Sequence, residues 1–122
     1  MADGIELLDI APTFVVSNMK SALAFYEGVL GFETLYLHGE PPTYAVLKQG
    51  AAHIHLFPKH LEHQQPGYSN CYIQVTGVDH LYQGLQTLGV PIVHELQEQE
   101  YGMKDFVIQD PDGNHIGFGE EC

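Results

Sequence analysis

Apolar and polar residues alternate in short runs along most of the chain, and two stretches of about ten residues replace that alternation with a helical period. Residues 9–16 are apolar and strand-like. Asn18 follows, a residue whose side-chain oxygen can accept from the first free N–H groups of a helix. Over residues 19–29 the apolar face is Met19, Ala22, Leu23, Phe25, Tyr26 and Val29, continued by Leu30, and Gly31 ends the helix. Three short strands are predicted next, at 32–37, 44–48 and 53–57. Gly39-Glu40-Pro41-Pro42 and Gln49-Gly50 supply the breaks between them.

The same order recurs. Residues 71–76 form a strand pattern. Residues 78–88 form a helix with Leu81, Tyr82, Leu85 and Leu88 apolar, and Gly89 stops it. Strands at 90–96, 103–109 and 115–119 complete the set. Leu30-Gly31-Phe32 answers Leu88-Gly89-Val90 at an offset close to half the chain. This is the pattern of an internal duplication of a βαβββ unit. The chain therefore reads as one α+β domain over residues 1–122, with half-modules at 9–58 and 69–120 and a polar linker at 59–68.

Each helix has one apolar stripe and must cover one face of a sheet, which leaves the other face free to form a groove. Strand alternation assigns the faces. Ile54 and Leu56 turn to the helices, so His53, His55 and Phe57 face the groove. Cys71, Ile73 and Val75 turn to the helices, which sends Asn70, Tyr72 and Gln74 to the groove. Ile116 and Phe118 go inward, leaving His115, Gly117 and Gly119 on the groove side. The groove is expected to mix aromatic, amide and imidazole groups, a lining suited to a small amphipathic ligand.

Charge narrows the class of ligand. Four basic residues, all lysine, stand against sixteen acidic ones, a net charge of −12. Such a surface repels phosphate backbones and argues against nucleic acid as a partner. It concentrates cationic small molecules, or it serves solubility alone. No apolar run is long enough to span a membrane, and the acidic start of the chain lacks a basic-then-apolar signal, so a cytoplasmic protein is expected. Two cysteines do not make a disulfide framework; Cys71 reads as a small buried hydrophobe and Cys122 as a terminal residue. Neither a Gly-x-Ser-x-Gly elbow nor a phosphate-cradling glycine loop is present.

Three features carry a family resemblance over nearly the whole chain. They are the duplicated βαβββ order, Phe25-Tyr26 ahead of Val29-Leu30-Gly31-Phe32, and Asp110-Pro111-Asp112-Gly113-Asn114 in a closing hairpin. Together they resemble the glyoxalase / bleomycin-resistance / extradiol-dioxygenase superfamily, whose fold is a curved mixed sheet with helices on its outer face. Tyr101-Gly102-Met103-Lys104-Asp105-Phe106 resembles the bleomycin-resistance branch, which usually carries Trp where this chain has Tyr101.

Metal-using relatives place His, Glu or Gln at four strand positions. The resemblance maps these onto Ala11, His55, Asn70 and Gly117, of which only His55 is a competent transition-metal ligand. A catalytic divalent site takes about three protein ligands. The resemblance thus implies a non-enzymatic binder that sequesters a bleomycin-type antibiotic and uses no cofactor. The alternative is a lyase, isomerase or dioxygenase with a divalent metal on a displaced site built from His55 and His53, which are two residues apart on one strand face. His60, His63 and Glu62 could extend that site. His38, His80, His94 and His115 read as surface or turn residues.

The expected ligand-binding set is His53, His55, Phe57, Asn70, Tyr72, Tyr101 and Met103, for a small cationic or amphipathic ligand. Tyr101 and Phe57 are the aromatic stacking candidates, though Phe57 also reads as core and Tyr101 as a loop residue on its own hairpin. Glu95, Glu98 and Glu100 form an acidic rim near Tyr101, or simply a solvated edge. The resemblance also implies a homodimer that exchanges N-terminal strands near Pro12.

Overall fold

Ten elements follow one another in the predicted order. The computed structural model describes residues 3–59 and 64–122. The first module comprises β1 (Thr13–Val16), α1 (Met19–Gly28), β2 (Glu33–His38), β3 (Tyr44–Gln49) and β4 (Ala52–Pro58). The second comprises β5 (Asn70–Gln74), α2 (Val78–Thr87), β6 (Ile92–Glu98), β7 (Met103–Gln109) and β8 (His115–Glu121). Each module builds one four-stranded mixed sheet. The orders are β1-β4-β3-β2 and β5-β8-β7-β6, and in each the first strand runs parallel to the last. Identical connectivity in the two halves is what a duplication produces.

The helices start for different reasons. The Asn18 side chain accepts from the Ser21 N–H at 2.9 Å, the expected cap. Helix α2 begins after Gly77, which has no side chain to offer. Its first N–H groups, on Gly77 and Val78, are instead bound by the Glu120 carboxylate of β8, both at 3.0 Å. A carboxylate at a helix N-terminus also meets the positive end of the helix dipole.

Both helices pack into one buried cluster. Met19, Ala22 and Tyr26 of α1 and Val78 and Leu85 of α2 join Phe14, Leu47, Ile54 and Leu56 of the first sheet and Phe106, Ile108, Ile116 and Phe118 of the second. The predicted inward residues of β4 and β8 are thus the observed ones. Leu88, expected on the apolar face of α2, sits at its C-terminal cap and is exposed. Among the described residues, no helix is long and apolar enough to cross a membrane.

One prediction of extent fails. The first strand was expected over residues 9–16 but covers Thr13–Val16 alone. Pro12 has no N–H to give a ladder and serves only as an acceptor, from the His55 N–H at 2.9 Å. Ahead of it the chain is an exposed arm. Of the linker, residues 60–63 lie outside the described residues, and with them His60, Glu62 and His63.

The closing hairpin does more than turn the chain. Asp110 and Asn114 are buried, and their side chains form a hub. Asp110 accepts from the backbone N–H groups of Asp112 and Asn114, from the Asn114 amide and from the Tyr26 hydroxyl, all at 2.9 Å. Asn114 accepts from the N–H groups of Gly67 and Ser69 and donates to the Val15 carbonyl at 3.0 Å. The hairpin of the second module therefore fastens β1 and α1 of the first. Gly67, at φ 95°, lies so close that a Cβ there would stand 2.6 Å from the Asp112 carbonyl oxygen.

Candidate functional site

On the second sheet, the face turned away from the helices is organised by Tyr72. In β5 it pairs with Gly117 of β8. Its ring lies across Gly117 and Gly119: a Cβ at Gly117 would stand 3.0 Å from Tyr72 Cδ2, and one at Gly119 would overlap the hydroxyl. The two missing side chains make the bed in which the ring lies, and they explain why both glycines are buried. From there the Tyr72 hydroxyl donates to Asp105 Oδ2 at 2.8 Å.

Asp105 of β7 lies opposite Gly119 and is only 5% exposed. It is held by three neutral donors. Tyr72 and Tyr101 both give their hydroxyl protons to Oδ2, and the Gln99 amide donates to Oδ1 at 3.0 Å. The arrangement raises both phenols above their ordinary range. Burial is the main cause for Tyr72, and the hydrogen bond to Asp105 is the main cause for Tyr101. Met103 precedes Asp105 on the same face of β7 and is half-buried.

The first sheet carries a different set. Tyr44 and His55 meet through the hydroxyl and Nδ1 at 2.7 Å, with their rings edge to face. Tyr36 and His38, stacked on β2, make a second such pair at 3.1 Å. His53 is held differently. Its Nδ1 is 2.8 Å from Asp9 Oδ2 of the arm, a close contact set off the line of a directed hydrogen bond. Phe57 is half-buried on the same face of β4. Asn70 is exposed at the start of β5, next to His115.

Between the modules runs a seam. At one end it is closed by the Asn114 hub and by the Val15 N–H, which donates to Ser69 Oγ at 3.0 Å. Further along it opens into a cleft of about 480 Å³ lined by Ile10, Ala11, Pro12, His53, Ile54, Cys71, Tyr72 and Gln74, among others. A second cleft of about 440 Å³ continues it past Ala51, Ala52, Ile73 and Gln74 towards Leu30 and Phe118. The first brings His53 and Tyr72 of the predicted set together. The Asp105 carboxylate gathers Tyr72 and Tyr101. His55, Phe57 and Asn70 lie outside both groupings.

Cys71, in the cleft wall, is half-buried and not fully enclosed, and burial still pushes its thiol up to about 11, so it stays protonated near neutral pH. The four strand positions that hold metal in metal-using relatives do not form a ligand set here. Ala11 lies in the irregular arm, His55 is engaged by Tyr44, Asn70 is exposed, and the Tyr72 ring covers Gly117. No group of three or more His, Cys, Asp or Glu among the described residues is arranged to hold a metal ion.

Several groups escaped the reading of the sequence. Asp105 was legible, since it alternates with Phe106 and Ile108 along β7 and so shares the groove face with Met103. Gln99 and Asp9 were not, because both lie outside strands and act through loop geometry. Tyr44, at the start of β3, reaches His55 through its side chain, while the register places Val46 directly opposite that histidine.

Residues 9–118 match the profile of the Glyoxalase/Bleomycin resistance protein/Dioxygenase superfamily. The chain belongs to that superfamily. Within it, the bleomycin resistance protein of Geobacillus stearothermophilus is 32% identical, over 94% of this chain and 98% of the relative. Among solved structures, TnmS3, an antibiotic binding protein from Streptomyces sp. CB03234, superposes with a TM-score of 0.83 at 22% identity, over 99% of this chain and 100% of its own. TioX from Micromonospora sp. ML1 gives 0.81 at 17% identity, over 93% and 98%. At these identities the structural likeness establishes the superfamily fold.

Proposed function

We propose that this superfamily member binds and sequesters a bleomycin-type antibiotic without chemical change to it, and so confers resistance. The observation that carries the reading is the near full-length similarity to a bleomycin resistance protein, at 32% identity. The groove chemistry agrees with it. Two tyrosine rings stand exposed, Tyr72 on β5 and Tyr101 in the turn between β6 and β7, where they can stack on a flat heteroaromatic ring. The metal-ligand positions of the superfamily's enzymes offer one imidazole, already engaged by Tyr44. The net charge of −12 draws a cationic drug towards the protein. No metal or other cofactor takes part in this reading.

The working unit is a homodimer in which N-terminal strands are exchanged near Pro12. Supporting this, Ile5, Leu7, Leu8 and Ile10 are 59%, 77%, 84% and 87% exposed, an arm that turns most of its apolar surface to solvent.

Calorimetric titration of the protein with metal-free bleomycin tests the function, followed by mass spectrometry of the released drug. Saturable binding with drug recovered unchanged is the expected result. No binding at micromolar protein, or drug recovered in altered form, would sink the sequestration reading.

A further inference from the structure

Among the described residues, no cationic side chain pairs with the Asp105 carboxyl group. The chain contains no arginine and four lysines, at positions 20, 48, 59 and 104. Among the described residues Lys104 pairs with Asp79, and the His53 imidazole lies against Asp9; neither reaches Asp105. Its three partners, Tyr72, Tyr101 and Gln99, are all neutral donors. A carboxylate that is 5% exposed carries a large desolvation cost when no cation answers it.

What lies over that carboxylate is equally specific. Tyr72 and Tyr101 share one oxygen atom, so both rings are pinned by their tips, yet the residues remain 49% and 66% exposed. Pinned, exposed aromatic faces around a negative charge attract cations of low hydration, through the ring quadrupoles and the charge together. An anion or a neutral polar ligand gains nothing comparable there.

We infer that Tyr72, Tyr101 and Asp105 form a subsite for an organic cation: an alkylated ammonium, sulfonium or guanidinium group carried by the ligand. The inference deepens the sequestration reading and rests on it for the identity of the natural ligand. In this subsite Asp105 supplies the charge and fixes both rings, Gln99 fixes the carboxylate, and the rings make the contact. A compact hydrated ion such as sodium gains less, since it must shed its water to meet a ring face.

The test uses choline and its neutral carbon isostere, 3,3-dimethylbutan-1-ol, which share shape and differ in charge. Tyrosine ring resonances are followed by NMR during titration of the full chain. Choline is expected to shift the Tyr72 and Tyr101 rings saturably and the alcohol to leave them in place. Asp105→Asn should weaken choline binding about tenfold, while Asp79→Asn, an equal change of net charge away from the groove, should leave it within about twofold. Equal responses to the two probes, no response to either, or full binding in Asp105→Asn would overturn the subsite. If Asp105→Asn does not fold, Tyr101→Ala replaces it, because that ring is exposed. Choline affinity should then fall at least about fivefold, and unchanged affinity counts against the inference. The bleomycin titration separates the two readings. Drug binding with no choline response removes the subsite and leaves sequestration, whereas a choline response with no drug binding does the reverse.

Discussion

Tyr26 joins core and polar hub in one side chain. Its ring sits fully buried among Phe14, Phe25 and Phe32, edge to face with each, while its hydroxyl donates to Asp110. Burial, with the Asp110 charge behind it, raises this phenol far above its ordinary value of 10.0. The neutral form is therefore the one the fold favours. Below pH 10 the ring is neutral in folded and unfolded chains alike, and its contribution is complete. Above pH 10 the unfolded chain releases the proton while the folded chain keeps it, so stability falls as pH rises. Tyr26→Phe is expected to cost about 1–3 kcal/mol at pH 7, because it removes one donor from a buried carboxylate. The same variant should lose less additional stability than the native chain between pH 10 and 11. Urea unfolding at the three pH values measures both effects.

At the scale of the element, the second sheet depends on complementarity between a ring on β5 and two gaps on β8. Gly119→Ala places a methyl group where the Tyr72 hydroxyl lies, so the ring must leave and its bond to Asp105 must break. We expect about 1–3 kcal/mol of destabilisation, in the range of overpacking. In a Tyr72→Ala background the same methyl meets an empty bed, so the double-mutant cycle should show strong positive coupling between the two sites. Additive costs would mean that the ring does not rest on Gly119. Gly117→Glu, a change that would restore a metal-binding side chain, meets the same ring and should destabilise the sheet before it binds any metal. This layout explains what could be read from the chain. Period-2 alternation places Ile54, Leu56, Ile116 and Phe118 inward and Tyr72 outward, because burial on one face enforces it. It says nothing about a ring reaching sideways over the neighbouring strand to a third, so Gly117 and Gly119 read as empty positions when they are filled. Residues 9–12 read as strand because all but Asp9 are apolar, but a strand also needs a partner and an N–H to give, and Pro12 has no N–H.

For the whole molecule, the arm and the charge set the behaviour. An arm with Leu7 and Leu8 in solvent contributes little to the stability of a single chain. Leu7→Asp with Leu8→Asp should therefore leave unfolding of the isolated chain nearly unchanged. In sedimentation, the native protein is expected at the mass of two chains and the variant at the mass of one. A native protein that sediments as one chain would remove the arm from the interface. Drug affinity should also fall as salt rises from 50 to 500 mM, since part of the attraction is long-range and screened.

The hub made by Asp110 and Asn114 fixes an order of events. Asn114 holds the Val15 carbonyl across 99 positions of sequence, and Asp110 holds Tyr26 across 84. On a ribosome, the first module emerges complete in length but without the groups that tie down its first strand and first helix. These arrive only with the last strand connection, between β7 and β8, when nearly all of the chain has been made. The first half must wait, with part of its apolar surface open, for the second to be translated. Two modules of matching connectivity are therefore not expected to mature one at a time, and a chain truncated just before Asp110 would be expected to leave the ribosome as a client for chaperones, not as half of a working protein.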